Sequence, residues 1–188
     1  MKFLINSVLF LWSCFVVGQE FYTDVTYADI VNKGIRIQNS YPKGGQKYKA
    51  PNGREYVYLV FWTRISNEME ADITIEIEAL NHSFVIPSAP NTEFKVYIPT
   101  EKMTLEKEKQ KDYGLNLALF LDHNLNTSSK LIENIPAKGS LLFYSIVIAT
   151  QGINGVVRAG FELHEQNLIY NLNNYKVPCG SILVKEKK

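Results

Sequence analysis

Two adjacent residues, Asp122 and His123, are the first candidates for acid–base chemistry in this sequence. A carboxylate that orients an imidazole is a common arrangement for a general base. Adjacent residues on a strand or a helix point in different directions, so adjacency alone does not orient the ring. No nucleophile turn of the GxSxG type is present to complete a triad. A hydrolase that uses carboxylates or His123 is therefore kept only as an alternative.

A second candidate is the carboxylate pair Glu76 and Glu78, which share one face of a predicted strand. Carboxylates about 5–9 Å apart can hydrolyse glycosides, and same-face residues at i and i+2 have that spacing. Nothing nearby in the sequence marks a cleft. The three histidines, His82, His123 and His164, show no local metal-ligand spacing. We therefore predict no catalytic residue, no metal and no cofactor.

Aromatic residues are the best candidates for ligand binding. Tyr56, Tyr58 and Trp62 share one face of a strand, and Tyr97 lies on the outward side of another. Sugar faces stack on such rings, and an apolar patch with a polar rim also suits a protein partner. The alternative is that these rings fill a packing contact. Arg64 beside them is expected to pair with a ligand carboxylate or with Glu76 or Glu78 across the strands.

The stretch from residue 56 to 80 must position these groups. Residues 56–65 carry large side chains on both faces, which is typical of a central strand covered on both sides. Residues 72–80 alternate strictly, with isoleucines on one face and polar residues on the other. The polar segment 66–71 predicts a turn that returns the chain from the first strand to the second.

Short β-prone runs with regularly spaced turns continue through the chain. Residues 40–56 are rich in Gly and Pro and predict a loop with a tight turn at Asn52–Gly53. The apolar run 141–149 predicts a buried strand, and residues 115–122 a short helix. The pattern predicts an all-β protein: an antiparallel two-sheet sandwich of immunoglobulin-like type with about nine or ten strands.

The first eighteen residues have the features of a secretory signal peptide. Lys2 supplies the positive charge, an apolar run follows, and Gly18 is a small residue at the cleavage position. The run is short for a stable membrane span, which needs about 20 apolar residues. We therefore predict a signal peptide at 1–18, a single sandwich domain at 19–188, and export to the periplasm or the extracellular space.

The two cysteines have different predicted fates. Cys14 follows a segment that loosely resembles a lipobox, so a lipid anchor is a second possibility, although Trp12 fits that motif poorly. Ordinary cleavage after Gly18 removes Cys14 and leaves Cys179 without an internal disulfide partner. Cys179 is then expected to pack as a small hydrophobic residue.

The charge balance argues against polyanionic partners. The chain has 20 Lys and Arg against 19 Asp and Glu, and Lys2 leaves with the signal peptide. A neutral mature chain offers no electrostatic basis for binding nucleic acid or an acidic membrane. The expected partner is therefore an unknown protein or a glycan, with the oligomeric state left open.

Two segments resemble bacterial immunoglobulin-like domains, TRISNEMEADITIEIEA and NIPAKGSLLFYSIVIA. Across most of the mature chain, pieces such as FWTRISNE, VVRAGFEL and VPCG are similar to uncharacterised secreted proteins of Bacteroidota. The resemblance implies export and agrees with a sandwich, but brings no established activity.

The sequence thus predicts an exported, non-catalytic β-sandwich that serves as a binding or accessory module for a surface partner or glycan. Its predicted ligand-binding residues are Tyr56, Tyr58, Trp62 and Tyr97. The alternatives are the exported hydrolase and a self-associating structural protein of the envelope.

Overall fold

A computed structural model of the chain describes residues 21–28, 34–80, 82–152 and 154–184. Strands make up 57% of it and form two antiparallel sheets with one short helix. The predicted all-β two-sheet sandwich is therefore confirmed. The described residues contain twelve strands rather than nine or ten. The predicted signal peptide at 1–18 lies outside the described residues.

The strands follow one another in chain order with a single α-helix after the seventh. They are β1 (Phe21–Tyr27), β2 (Ile35–Ser40), β3 (Lys43–Lys49), β4 (Glu55–Asn67), β5 (Ile73–Glu78), β6 (Phe84–Ile86), β7 (Ala89–Tyr97), α1 (Leu117–Asn124), β8 (Lys130–Ile135), β9 (Ser140–Ala149), β10 (Ala159–His164), β11 (Asn167–Leu172) and β12 (Tyr175–Val184). The seven-stranded sheet has the order β1-β2-β4-β9-β7-β6, with β3 also paired to β4. The five-stranded sheet has the order β10-β11-β12-β5-β8.

The central strand β4 separates two apolar clusters, as its sequence predicts. Phe61 and Ile65 point into the core between the two sheets, which also holds the dry face of β5. Val60 and Trp62 point the other way, into a second cluster beneath the segment around α1. Burying large side chains on both faces provides much of the driving force for folding, at about 25 cal/mol per Å² of apolar surface.

The turn between β4 and β5 does not bring these strands together as neighbours. β4 belongs to the seven-stranded sheet and β5 to the five-stranded sheet, so residues 68–72 cross from one layer to the other. Asn67 anchors the crossing, because its Nδ2 donates to the carbonyl oxygens of Ala71 (2.8 Å), Ile135 (3.2 Å) and Pro136 (3.0 Å). A buried amide that bridges two layers provides hydrogen bonds to backbone carbonyl groups that would otherwise have no partner.

The prediction of a loop over residues 40–56 is wrong for its first half. β3 pairs with β4 there, with an irregularity between Gly44 and Gln46. Gly44 has a φ of +117°, and a Cβ atom at this position would lie 2.7 Å from the Tyr58 carbonyl oxygen. Glycine lets the strand approach its neighbour, although glycine in a sequence usually marks a turn.

The tight turn predicted at Asn52–Gly53 is present. Gly53 has a φ of +82° and donates its N–H to the Ala50 carbonyl at 2.9 Å. The Asn52 Oδ1 accepts from the backbone N–H of Arg54 at 3.0 Å. This side-chain turn fixes the backbone at Arg54, the residue that precedes β4.

A short helical segment covers the outer face of the seven-stranded sheet. Two 3-10 turns at Leu105–Lys107 and Lys111–Gly114 lead into α1, which begins two residues later than predicted. The Asn116 Oδ1 accepts from the Leu119 N–H and caps its first turn. Leu117 and Leu121 point down into the second cluster.

Asn39 joins the two sheets at one edge. It lies in β2 and is 3% exposed, and it contacts Phe161 of β10 in the opposite sheet. Its Oδ1 accepts from the Phe161 N–H at 2.9 Å, and its Nδ2 donates to the Phe161 carbonyl at 3.0 Å. The side-chain amide thereby pairs with β10 as a strand backbone would.

Candidate functional site

The four predicted ligand-binding residues do share one face of the seven-stranded sheet, but most of them are covered. Tyr58, Trp62 and Tyr97 are 5%, 0% and 1% exposed. The expectation of an open aromatic platform is therefore wrong at these three positions. Only Tyr56 is half-buried and reaches the surface.

The cover is the segment from residue 105 to 125, and it anchors each buried ring. The Trp62 ring meets the edge of Tyr113 at 6.5 Å between centroids. The Tyr58 hydroxyl donates to Asp112 Oδ2 at 3.0 Å, and the Tyr97 hydroxyl donates to the Leu125 carbonyl at 2.7 Å. These rings fill the contact between a sheet and a helix, the alternative role that the sequence left open.

The Tyr58 hydroxyl gives a testable pH dependence. Burial, and next the hydrogen bond to Asp112, raise the pKa of Tyr58 from 10.0 to about 12. Because the folded-state pKa is the higher one, this group stabilises the fold fully below pH 10 and progressively less as the pH rises towards 12. We expect urea unfolding of Tyr58→Phe to show a shallower loss of stability between pH 9 and pH 12 than the parent. Equal slopes would contradict the assignment.

Tyr56 and the edge of Tyr97 line an open cleft of about 230 Å³ on the outer face, here called the tyrosine cleft. Its floor is Ile148 of β9, which lies between β4 and β7. The remaining lining residues are mostly polar; they are Arg54, Ser83, Glu93, Phe94, Lys95, Leu125, Asn126 and Thr150.

Lys95 and Glu93 of the tyrosine cleft are held in place by local contacts. Lys95 lies over the Tyr97 ring at 5.0 Å and donates to the Leu125 carbonyl at 3.1 Å. Burial lowers the pKa of Lys95. Glu93 accepts from the Ser83 hydroxyl at 3.1 Å, and the Asn52–Gly53 turn presents Arg54. The cleft therefore combines an aromatic wall with two cations and one carboxylate.

Sequence reasoning missed Arg54 and Lys95, although a signal was present. Each lies two residues before a tyrosine that was predicted to bind ligand: Arg54 before Tyr56, and Lys95 before Tyr97. On a strand this spacing places both members of a pair on one face. Two cation–tyrosine pairs at this spacing would have indicated a cleft between the strands.

The acid–base candidates are not assembled into one site. Asp122 lies on α1 and accepts from the Tyr48 hydroxyl at 2.6 Å. His123 contacts the Leu119 carbonyl of its own helix through Nδ1 at 2.8 Å. Both residues lie over the seven-stranded sheet, whereas Glu76 and Glu78 lie on the five-stranded sheet. The pair on α1 therefore cannot act together with the pair on β5.

Glu76 and Glu78 line one open depression of about 430 Å³ on the five-stranded sheet, and Glu76 has an ion-pair partner there. Glu76 pairs with Lys130 of β8 at 2.5 Å, and both side chains are nearly half exposed. Arg64 belongs to the other sheet, so its expected pairing with Glu76 or Glu78 is wrong; its Nη1 contacts Gln38 at 3.4 Å instead. Among the described residues there is no group of three or more His, Cys, Asp or Glu side chains able to hold a metal ion.

Cys179 packs as a small hydrophobic residue, as expected. It is 8% exposed, and its Sγ donates to the Leu168 carbonyl at 3.4 Å. Burial raises the pKa of the thiol to about 12. A thiol reacts as the thiolate, so Cys179 is inert in the fold at neutral pH.

The protected thiol can be counted directly. We expect 5,5′-dithiobis(2-nitrobenzoate) at pH 8 to leave Cys179 of the folded chain unmodified over minutes and to modify it fully in guanidinium chloride. The reason is that burial both removes access and disfavours the thiolate. Fast modification without denaturant would show that β12 opens around this residue.

A second opening, here called the inter-sheet groove, lies on the core-facing side of the seven-stranded sheet, beside the segment that leads into β10. It has a volume of about 420 Å³, and its lining is mostly apolar. Its lining residues are Pro42, Gly44, Gly45, Val57, Leu59, Phe94, Val147, Ala149, Gln151, Gly152, Gly155, Val156 and Val157. Sequence analysis missed it, because it depends on how far the two sheets overlap.

The described residues form a two-sheet β-sandwich whose openings include a polar cleft on one outer face and an apolar groove on the core-facing side of the larger sheet. No protein-family model, curated protein or solved structure matches this chain. Within the described ranges, no helix has the length and apolar character needed to cross a bilayer.

Proposed function

We propose that this protein is an exported, non-catalytic binding module whose tyrosine cleft holds a glycan. The observation that carries this proposal is the half-buried Tyr56 ring, which forms a wall beside fixed polar side chains. Sugars bind through stacking of their apolar face on a ring together with hydrogen bonds to their hydroxyls, and the cleft offers both. The apolar, basic N-terminal pattern of residues 1–18 supports export.

The size of the cleft fits a small binding subsite. Its volume of about 230 Å³ lies below the usual range for drug-sized ligands, about 300–1,000 Å³, so one sugar unit of a longer chain is the natural occupant. Arg54 and Lys95 face it with Glu93 as the only carboxylate in the lining. This charge balance favours an acidic sugar unit over a neutral one.

The test is an array of immobilised acidic and neutral oligosaccharides probed with the purified chain. For the strongest hit, we expect Tyr56→Ala to weaken binding at least about tenfold, because it removes the stacking surface. Tyr41→Ala is the matched control, since Tyr41 is 40% exposed and lies outside the cleft. Thermal melts of both variants check that the fold is retained. An array without hits, or equal binding by Tyr56→Ala and the parent, would contradict the proposal.

A further inference from the structure

The inter-sheet groove lies where the core-facing side of the seven-stranded sheet is lined by none of the described strands of the opposite sheet. β4 has 13 residues and β9 has 10, whereas β5, β8, β10 and β11 of the opposite sheet have 6 each. The inner face of β4 is therefore closed at Phe61 and Ile65, which are 1% and 0% exposed, but only partly covered at Val57 and Leu59. Uncovered core-facing side chains form a ready apolar surface.

Among the described residues, none that lines the groove has an ionisable side chain. The floor is formed by Val57 and Leu59 of β4 with Val147 and Ala149 of β9, and Val156, which is 62% exposed, forms part of one wall. The amide of Gln151 is already used, since its Nε2 donates to the Asn91 carbonyl and to Thr92. Binding of an apolar ligand removes this surface from water and is favourable, whereas a polar ligand finds few hydrogen-bond partners there.

The guanidinium of Arg158 is linked to both walls through residues next to them in the sequence. Arg158 follows Val157 of one wall, and its guanidinium lies over the ring of Tyr41, which precedes Pro42 of the other. The distances from the guanidinium carbon to the Tyr22 and Tyr41 ring centroids are 5.3 and 5.1 Å. Two rings hold a cation in place through their negative faces.

Most N–H donors of the Arg158 guanidinium have no hydrogen-bond partner among the described residues. Its one hydrogen bond among the described residues is a long contact from Nη1 to the carbonyl of Val157 at 3.5 Å, and it pairs with no carboxylate there. A guanidinium carries five N–H donors in a fork that fits a carboxylate bidentately. The guanidinium, which does not itself line the groove but belongs to the residue after Val157, is therefore complementary to an anionic head.

We propose that the inter-sheet groove binds a single-chain fatty acid, with its acyl chain against Val57, Leu59 and Val147 and its carboxylate on Arg158. The groove volume of about 420 Å³ lies within the usual range of about 300–1,000 Å³ for small-ligand sites, which suits a single acyl chain. This site is separate from the tyrosine cleft and from the glycan proposed there.

The experiment is calorimetric titration of the purified chain with dodecanoate and with dodecyltrimethylammonium, each below its micelle concentration. The two probes share a chain and differ in the charge of the head. We expect dodecanoate to bind at least about tenfold more tightly, since only its head pairs with the guanidinium. Arg158→Glu should reverse this order, and Arg54→Glu, which alters the tyrosine cleft, should not.

A second variant tests the chain rather than the head. Val156→Asp places a carboxylate on the groove wall at a position that is already exposed, so we expect it to fold normally and to bind dodecanoate at least about tenfold more weakly. Val85→Asp is the matched control, because Val85 is 46% exposed and lies outside the groove. Absence of dodecanoate binding, equal affinity of the parent for the two probes, or dodecanoate affinity unchanged by Arg158→Glu would overturn the proposal.

Discussion

Replacement of Asn39 by leucine is expected to lower the free energy of unfolding by about 3–5 kcal/mol. The buried N–H and C=O groups of Phe161 both pair with this side chain, at 2.9 and 3.0 Å. Leucine has similar volume but no polar atoms, so both groups would be left without partners. The Thr63 hydroxyl, which donates to Asn39 Oδ1 at 2.8 Å, would lose its acceptor as well. Urea unfolding followed by far-UV circular dichroism measures the loss.

A matched substitution separates this effect from the general cost of changing a strand asparagine. Asn134 lies in β8 with its side chain exposed, and Asn134→Leu should change stability by no more than about 0.5 kcal/mol. Similar losses for the two variants would show that the bridge between the sheets contributes nothing specific.

Gly160 provides a second check on the same contact. A Cβ atom on Gly160 would lie 2.4 Å from Asn39 Cγ, so Gly160→Ala must displace the amide. Asn39→Ala removes the two closest atoms, Cγ at 2.4 Å and Nδ2 at 2.7 Å, and leaves only Cβ at 2.8 Å. The double variant should therefore be more stable than the sum of the two single losses predicts, by at least about 1 kcal/mol.

Replacement of Trp62 by alanine is expected to cost about 3–5 kcal/mol of stability rather than to remove ligand binding selectively. The ring is 0% exposed and contacts Phe21 and Tyr113 at centroid distances of 5.8 and 6.5 Å. Alanine leaves a cavity that the sheet and its cover cannot fill without moving. The loss is measured by urea unfolding with far-UV circular dichroism, since the substitution removes the indole fluorophore.

The conservative variant at the same position should behave differently. The Trp62 Nε1 is buried without a hydrogen-bond partner among the described residues, so Trp62→Phe loses no hydrogen bond. We expect it to cost less than half as much as Trp62→Ala. A stable Trp62→Ala that no longer binds the glycan would contradict the buried position of this ring.

Local patterns in the sequence predicted the layers of the fold well. The alternation of Ile73, Ile75 and Ile77 with polar residues gave the dry face of β5 correctly, and the apolar run 141–149 gave the buried β9. These features depend on near neighbours along the chain, where a period of two is a direct consequence of strand geometry. The helix was placed within two residues for a similar reason.

Features that depend on distant parts of the chain were missed. β3 was mistaken for a loop because Gly44 is needed for a close approach to β4, which no local signal reveals. The same limit applied to the aromatic face of β4: periodicity shows that side chains share a face, but not what covers it. Tyr58 and Trp62 are covered by a segment fifty residues away, so the open platform became a buried contact.

The pairing of β4 with β9 has a kinetic consequence. These strands form the middle of the larger sheet, yet their register joins Val57 to Ala149 and Ser66 to Ser140. Contacts between such distant residues form only after a long loop has closed, and closing it lowers the entropy of the chain. Folding is therefore expected to take about milliseconds to seconds. A nascent chain that has not yet released residue 149 from the ribosome lacks the full partner of β4, so the apolar surfaces of β4 stay open until that residue emerges.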